Sequence, residues 1–222
     1  MSNVYIEALD ASYSYGKKGF SLVPGTLRLE RGKIVFLKGK NGSGKSTWMK
    51  LLAGIFKPSQ GSIRIDGCDT KRMSLGQIGE KLGYLWQNPQ VQLFMETVFQ
   101  EMTFVDELKG LSKAESEKKA EVWLECFGLS HLKKASVYRL SGGEKQRLAL
   151  AVILSQGAEY LMLDEPSKNL DEKARKNLVE LLKSLRNEKQ IGMLIVSHDE
   201  AFEQELADET ILVEEGKLIE KI

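Results

Sequence analysis

Long apolar runs and a secretion signal are missing from this 222-residue sequence. The longest unbroken apolar run is seven residues, Leu148 to Leu154, whereas a helix needs about 20 apolar residues to cross a bilayer. The first residues, Met1-Ser2-Asn3, lead directly into an alternating segment rather than into the basic and then apolar stretch of a signal peptide. The sequence therefore predicts a cytoplasmic protein that does not span a membrane.

Cysteine and net charge are also scarce. Cys68 and Cys126 are the only cysteines and form no closely spaced metal-binding pair, which predicts free thiols that are buried or partly buried. Lys and Arg number 32 and Asp and Glu 31, so the formal net charge is +1. Such a weak overall field gives no reason to expect a nucleic-acid partner, although a local basic patch is compatible with it.

Chain length and composition predict one enlarged globular domain. The 222 residues exceed the usual domain size of about 100 to 150 residues without reaching two comfortable domains. Hydrophobic residues make up 42% and charged residues 28%, close to the values of soluble globular proteins. We expect a single domain, residues 1–222, in which a core of residues 1–87 and 141–222 carries an inserted helical lobe at about residues 88–140.

Alternating and continuous apolar segments predict an α/β fold. Residues 4–36 read as short strands of a partly antiparallel sheet. Later strands are apolar on both faces and alternate with helices, which is typical of a mainly parallel, buried sheet. In the helical lobe, Ser112 and Glu115 form a capping-box pattern that opens a helix closed by Gly128. The other predicted elements are a helix at about 45–55 stopped by Pro58, a strand at 62–66, a helix from Ser141, strands at 160–163 and 191–196, a helix at 171–188, and a hairpin at 210–213 and 217–219.

Residues 39–46 form a phosphate-loop motif. Their sequence, GKNGSGKS, fits G-x-x-x-x-G-K-[ST] and lies between a predicted strand and a predicted helix. Glycines let backbone N–H groups turn inward as an anion nest, and the helix N-terminus adds partial positive charge. Lys45 would pair with the β- and γ-phosphates and Ser46 with Mg²⁺, whereas the alternative is a plain glycine turn before an amphipathic helix. The predicted ATP-binding residues here are Gly39, Asn41, Gly42, Ser43, Gly44, Lys45, Ser46 and Thr47.

Two carboxylates follow the apolar strand at 160–163. Asp164 and Glu165 lie at the carboxyl edge, where α/β sheets hold their ligands. Asp164 is predicted to hold Mg²⁺, and Glu165 to polarise the water that attacks the γ-phosphate. The alternative makes both residues N-cap groups of the next helix, but a phosphate loop upstream favours the catalytic interpretation.

The segment LSGGEKQR, residues 140–147, has a second helix start of unusual composition. Ser141 and Glu144 have the spacing of a capping box. That pattern leaves Gly142 and Gly143 unexplained, because each glycine costs up to about 1 kcal/mol in a helix relative to alanine. A closely approaching anion would require such a bare backbone. The sequence therefore predicts a second phosphate-binding helix start, formed by Ser141, Gly142 and Gly143.

Together these segments resemble the nucleotide-binding subunit of ATP-binding-cassette transporters. The phosphate loop, LSGGEKQR, the Asp164-Glu165 strand end and a lone His198 after the strand at 191–196 match that family in order and spacing across nearly the whole chain. The resemblance implies a P-loop NTPase fold and ATP hydrolysis with Mg²⁺. It also implies a head-to-tail dimer, homomeric or heteromeric, in which the loop of one subunit and the LSGGE segment of the other clasp one ATP.

Other site residues follow only from this resemblance. Tyr15 resembles the aromatic residue that stacks on adenine, with Tyr13 as a close competitor. Gln87 resembles the glutamine that reaches Mg²⁺ and the attacking water. His198 resembles the γ-phosphate sensor, and the alternative is a residue that caps the helix starting near Asp199. His131 is predicted to be an ordinary surface residue.

The segment at residues 167–171 resembles the loop that crosses the dimer interface. Lys168 stands where the family usually has a small residue. This departure leaves the geometry of the loop open.

Residues 86–94, WQNPQVQLF, resemble the Q-N-P-x-x-Q-L-F stretch of energy-coupling-factor and cobalt-type importer ATPases. In that branch the segment accepts a helix of an integral membrane transporter subunit, so Gln92, Leu93 and Phe94 are the candidate docking residues. The alternative makes Leu93 and Phe94 ordinary packing residues.

This resemblance implies a peripheral protein on the cytoplasmic face of the membrane that powers import of a vitamin or metal ion. Many relatives continue beyond the final hairpin, whereas this sequence stops at Ile222, which suits a short form or another importer type. One alternative is a soluble cassette ATPase acting on a nucleic-acid or ribosomal assembly. Another is a nucleotide-binding module without turnover, which the presence of Glu165, Gln87 and His198 disfavours.

Overall fold

The computed structural model describes residues 3–16, 19–168 and 170–219 and confirms the α/β fold class. A six-stranded sheet forms the centre, in the order β10-β9-β3-β8-β7-β6. All neighbouring pairs are parallel except the β9–β10 hairpin. Its strands are β3 (Ile34–Lys38), β6 (Leu82–Leu85), β7 (Tyr160–Asp164), β8 (Gly192–Val196), β9 (Glu209–Glu214) and β10 (Lys217–Ile219).

A four-stranded antiparallel sheet lies over one face of the central sheet, as the alternation of residues 4–36 predicts. Its order is β2-β1-β4-β5. Helix α1 (Lys45–Leu52) packs between the two sheets, because its buried Trp48, Met49, Leu51 and Leu52 share an apolar cluster with both. The strands are β1 (Val4–Ser14), β2 (Ser21–Glu30), β4 (Gln60–Ile65) and β5 (Cys68–Asp69).

The two faces of the central sheet pack in two different apolar clusters. Alternate residues of a strand point to opposite sheet faces. Val35 and Leu37 therefore join the cluster around α1, whereas Ile34 and Phe36 join a second cluster formed with later helices. The helices are α2 (Leu75–Lys81), α3 (Val98–Leu108), α4 (Lys113–Cys126), α5 (Gly142–Ser155), α6 (Glu172–Lys189) and α7 (Glu200–Leu206).

Helices α3 and α4 share the apolar cluster of the central sheet rather than forming a separate one. The capping box of Ser112 and Glu115 is present, and Gly128 follows the end of α4 with a left-handed φ of 65°. Both features confirm the predicted bounds of this helix. The division into a core and a lobe at about residues 88–140 stays a prediction. Within the described residues, no helix is both long and apolar enough to cross a membrane.

Two predictions about local structure are wrong. Helix α1 ends at Leu52, before residue 55, because Gly54 adopts a left-handed φ of 68° and Pro58 lies well beyond the last turn. Cys68 and Cys126 are free thiols, as expected, but both are exposed. Cys68 lies on a two-residue edge strand, and Cys126 lies off the face of α4 that buries Ser116, Ala120 and Leu124.

The sequence patterns do not predict α2 and β6. Strand β6 has only four residues, including Gly83, which weakens its strand signal. A Cβ at Gly83 would overlap the side chain of Ile153 on α5. Gly83 thus lets β6 pair with β7 close beneath α5, and this pairing brings Gln87 to the carboxyl edge of the sheet.

Candidate functional site

The phosphate loop joins β3 to α1 as the motif predicts. Gly39, Gly42 and Gly44 all have positive φ values, 144°, 80° and 109°, which side chains rarely permit. A Cβ at Gly39 would overlap the carbonyl oxygen of Val213. The Lys45 ammonium donates to the carbonyl oxygens of Gly39 (2.7 Å) and Lys40 (3.0 Å). The loop is therefore closed around its own lysine, with glycines where the backbone turns.

The β9–β10 turn braces this loop, a role that no local motif revealed. The Gly216 N–H donates to the Ser43 carbonyl oxygen at 2.8 Å. The Trp48 indole N–H donates to the Gly216 carbonyl oxygen at 3.0 Å. One turn near the C-terminus therefore holds both the loop and the helix that follows it.

The acidic pair lies where β7 ends. Glu165 has a left-handed φ of 51°, and its N–H donates to the Val196 carbonyl oxygen on β8 at 2.8 Å. Neither residue caps α6, because that role belongs to Asp171, whose carboxylate accepts from the Ala174 N–H. The N-cap alternative is therefore wrong, and the strained turn at Glu165 has the character of a functional site.

Burial and mutual charge perturb this pair and the nearby lysine. Burial raises the pKa of Asp164, the Glu165 charge raises it further, and Lys50, Lys45 and Lys168 oppose the shift. Burial lowers the pKa of Lys45, and the charges of Glu165 and Asp164 oppose that shift. Such coupled shifts are characteristic of sites that bind or react with charged groups.

His198 contacts Glu165 through both its backbone and its ring. The His198 N–H donates to Glu165 Oε2 at 3.3 Å, and His198 Nε2 lies 3.5 Å from Glu165 Oε1. The cap of α7 is Asp199, whose carboxylate accepts from the Phe202 N–H at 3.0 Å. The capping alternative for His198 is therefore wrong, whereas its role as a phosphate sensor stays a prediction.

A cavity of about 640 Å³ brings most of the predicted residues together. Predicted residues that line it are Asn41, Gly42, Gly44, Lys45, Ser46, Thr47, Gln87, Asp164, Glu165 and His198. Sequence reasoning did not assign Phe20, Ser167, Lys168, Val196 and Asp199 to this cavity, although they also line it. Among them, Ser167 and Lys168 carried a signal, because both belong to the segment that resembles the interface-crossing loop.

The two candidate adenine-stacking tyrosines differ in availability. Tyr13 stacks face to face on Phe56, with ring centroids 4.4 Å apart. Tyr15 meets Tyr13 and Phe56 only edge-on and is 44% exposed. Neither tyrosine lines the cavity, but the Tyr15 N–H donates to the carbonyl oxygen of Phe20, which does. A base could stack on the open face of Tyr15, whereas Phe56 occupies one face of Tyr13.

The second helix start lies outside this cavity. The capping box of Ser141 and Glu144 is present. A Cβ at Gly142 would have no neighbour within 4 Å, so packing within this chain does not require glycine there. Gly142 lines an adjacent cavity with Gln87 and Glu165, while Ser141, Gly142 and Gly143 are absent from the described lining of the phosphate-loop cavity. The two segments predicted to bind phosphate therefore line neighbouring cavities, which share Gln87, Glu165 and Lys168.

The candidate docking residues have three different environments. The Gln92 side chain accepts from the Trp86 N–H (2.9 Å) and donates to the Tyr84 carbonyl oxygen (2.7 Å), so it braces its own segment. Leu93 is buried in the apolar cluster that contains Ile34 and Phe36. The docking prediction is therefore wrong for Leu93, and the packing alternative is confirmed. Phe94 is 56% exposed and keeps an available surface.

Hydrogen bonds to α3 also fix the end of the segment at residues 86–94. The buried Glu101 carboxylate accepts from the N–H groups of Phe94 (2.9 Å) and Met95 (2.8 Å). Burial raises the pKa of Glu101, and these two hydrogen bonds oppose the shift.

Comparisons with known proteins agree with this geometry. A family model described as ABC transporter matches residues 23–168. A Pyrococcus horikoshii protein named a putative ABC transporter ATP-binding protein is 40% identical over 199 residues, which cover 90% of this chain and 73% of that protein.

Two solved structures are similar over almost the whole chain. The structure of cbiO1 from Clostridium perfringens, part of the ABC transporter complex cbiONQ, gives a TM-score of 0.90 at 29% identity, covering 99% of this chain and 88% of that chain. The dimeric structure of MJ0796, a bacterial ABC transporter cassette, gives a TM-score of 0.84 at 25% identity, covering 98% of this chain and 97% of that chain.

Proposed function

Because this chain belongs to the ABC transporter family and is an ATP-binding, ATP-hydrolysing subunit, we propose that it powers an importer of the energy-coupling-factor or cobalt type. The similarity to cbiO1, part of the cbiONQ transporter complex, supports this branch. The WQNPQVQLF segment supports it independently. The cargo would be a vitamin or a metal ion, recognised by other subunits of the transporter.

The cavity residues divide into groups that bind ATP and groups that act on water. Lys45 and the loop N–H groups hold the β- and γ-phosphates, while Tyr15, which lies outside the cavity lining, stacks on adenine. Glu165 accepts a proton from the attacking water, which Gln87 orients, while His198 contacts the γ-phosphate. Water is excluded when a second cassette covers the cavity, which strengthens these electrostatic contacts.

The side chains present fit Mg²⁺ bound together with ATP. Ser46, Gln87 and Asp164 offer a hydroxyl, an amide and a carboxylate oxygen around one cavity, and Mg²⁺ prefers oxygen ligands. The described residues hold no cluster of three or more His, Cys, Asp or Glu suited to a metal, so phosphate oxygens would complete the coordination. When bound, Mg²⁺ would neutralise charge on the phosphates.

The observation that supports the dimer proposal is the position of the LSGGE segment, which lies beside the phosphate-loop cavity rather than in its lining. The cavity that contains Lys45 does not include Ser141, Gly142 or Gly143 among the described residues that line it. A second cassette arranged head to tail would bring its own LSGGE segment to that cavity. Each ATP is then bound by two subunits.

Complementation between two inactive variants tests this arrangement. Gly142→Asp places a carboxylate where the partner's ATP would lie, while open space around Gly142 lets the chain fold. Lys45→Ala removes the phosphate-loop cation. Each variant alone should lose hydrolysis, whereas their mixture forms one intact site per mixed dimer and should recover up to about a quarter of wild-type phosphate release. Gly142→Ala is the matched control.

The outcome of complementation is decisive once wild-type protein hydrolyses ATP by itself. No recovery on mixing would then contradict the shared site. If the wild type is active only beside a different cassette, Lys45→Ala in this chain and the glycine substitution in the partner's LSGGE segment disable the same site and should leave about half of the phosphate release, whereas Lys45→Ala and Gly142→Asp together in this chain should abolish it.

The membrane partner is the second part of the proposal. Phe94 and Trp86 are 56% and 52% exposed on either side of the braced Gln92, and we assign the docking surface to these two residues. The protein would then lie on the cytoplasmic face of the membrane. Purification of the intact complex from membranes should yield an integral membrane protein and no nucleic acid. Retained RNA would instead favour a soluble cassette that acts on a ribosomal assembly.

A further inference from the structure

Lys168 lies on a turn that is held at three successive positions. The Lys168 N–H donates to the Glu165 carbonyl oxygen at 3.1 Å, which closes the turn after the acidic pair. The Pro166 carbonyl oxygen accepts from the side-chain amide of Gln146 on α5. The Ser167 hydroxyl lies 3.4 Å from that of Ser197. The turn that carries this lysine is therefore anchored to the residue after β8, to α5 and to the acidic strand end.

Lys168 lines the phosphate-loop cavity together with Lys45 and Ser46, and it also lines the adjacent cavity that contains Gly142. Within the part of the chain that the structure describes, its ammonium has no acidic group at ion-pair distance, although the side chain is exposed. Its charge nevertheless acts on Asp164, opposing the rise in the pKa of that carboxyl.

Charge balance gives this lysine a role. Lys45 lies on the loop side of the cavity, where two backbone carbonyl groups already accept from it. Asp164 and Glu165 line the same cavity, where the terminal phosphate would also meet two carboxylates. An anion in that position requires a nearby cation. Lys168, on the turn that follows these carboxylates, is the second lysine among the described residues that line this cavity.

From this geometry we infer that Lys168 is a second phosphate-binding lysine, which contacts the terminal phosphate of the ATP bound by its own chain. This inference rests on the proposed ATP site of the phosphate loop. It predicts a contribution to ATP affinity that does not depend on a second subunit. It also predicts discrimination between ATP and ADP, because ADP lacks the phosphate that Lys168 contacts.

Nucleotide titration of a monomeric form tests the inference. Gly142→Gln serves as the background, because a neutral side chain there does not pair with Lys168, which lines the same cavity, and light scattering verifies that the protein stays monomeric. In it, Lys168→Ser should weaken Mg-ATP binding about fivefold, equivalent to ~1 kcal/mol, and change Mg-ADP binding less than about twofold. Lys168→Arg keeps the charge and should bind ATP nearly as the background does. Lys173→Ser, at an exposed lysine on α6, is the matched control.

Three results would overturn the inference. The first is unchanged ATP affinity in Lys168→Ser, and the second is an equal loss of ATP and ADP affinity. The third is a loss seen only when Gly142 is intact and the protein dimerises, because Lys168 would then act across the interface. Lys45→Ala in the same titration separates the two proposals. If Lys45→Ala binds ATP normally, the proposed phosphate-loop site is wrong, and the inference about Lys168 is wrong with it.

Discussion

Glu165→Gln is the substitution for which the structure makes the sharpest prediction. Glutamine has nearly the same shape, and its amide oxygen can still accept from the His198 N–H, now 3.3 Å from Glu165 Oε2. The change therefore removes a negative charge and a proton acceptor while preserving the turn. We expect ATP hydrolysis to fall about 100- to 10,000-fold, the usual contribution of a positioned general base. That range corresponds to about 2.7 to 5.4 kcal/mol of activation free energy.

Nucleotide binding should survive this change for electrostatic reasons. The Glu165 charge helps to raise the pKa of Asp164, so its removal favours the ionised Asp164 that would hold Mg²⁺. Mg-ATP should then accumulate between two subunits, because the step that reopens the dimer is slow. Phosphate release measures turnover, and size-exclusion chromatography with light scattering measures the dimer.

A matched control separates the role of Glu165 from a general loss of carboxylate. Glu180→Gln alters an exposed glutamate on α6 and should leave both measurements unchanged. Turnover of Glu165→Gln within about tenfold of wild type would refute the general-base assignment. A dimer that fails to accumulate despite lost turnover would refute the proposed link between hydrolysis and reopening.

Three further predictions follow from single side chains. Lys45→Ala should abolish binding of a fluorescent ATP analogue, and retained affinity would contradict the loop assignment. Gly39→Ala should lower the free energy of unfolding by about 1 to 3 kcal/mol, measured in urea, because its φ is 144° and a Cβ would overlap Val213. Burial raises the pKa of Glu101, so wild-type stability should decline as the pH rises from the unfolded glutamate value near about 4 through the raised folded value. Glu101→Gln cannot titrate and should gain stability relative to wild type as the pH rises above the unfolded glutamate value; a constant difference would contradict this.

Much of the fold could be predicted because it depends on short periodic segments. Strands β7 and β8 are apolar except for Asp164 at the end of β7, and both lie within one residue of the predicted bounds. Strand β6 escaped prediction because four residues with a central Gly83 give too weak a pattern, and its pairing with β7 depends on close packing beneath α5. The end of α1 was misplaced because Gly54, rather than Pro58, stops the helix.

The candidate site was predictable where a motif is contiguous. The loop at 39–46 and the pair Asp164 and Glu165 needed only spacing and a strand before them. Leu93 could not be recognised as a core residue from its sequence alone, since an apolar residue after Gln92 suits both packing and docking. The exposure of Cys68 and Cys126 likewise depends on which face of an element meets the core.

The sequence by itself determined the phosphate loop, the acidic strand end and the capped helix at Ser141. Each of these features involves residues within a few positions of one another, because glycine conformations and cap hydrogen bonds depend on the local sequence. Only the tertiary structure decided that Gly216 braces the loop and that Lys168 lines the cavity of Lys45. Those relations join residues more than 100 positions apart, and close packing between distant segments sets them.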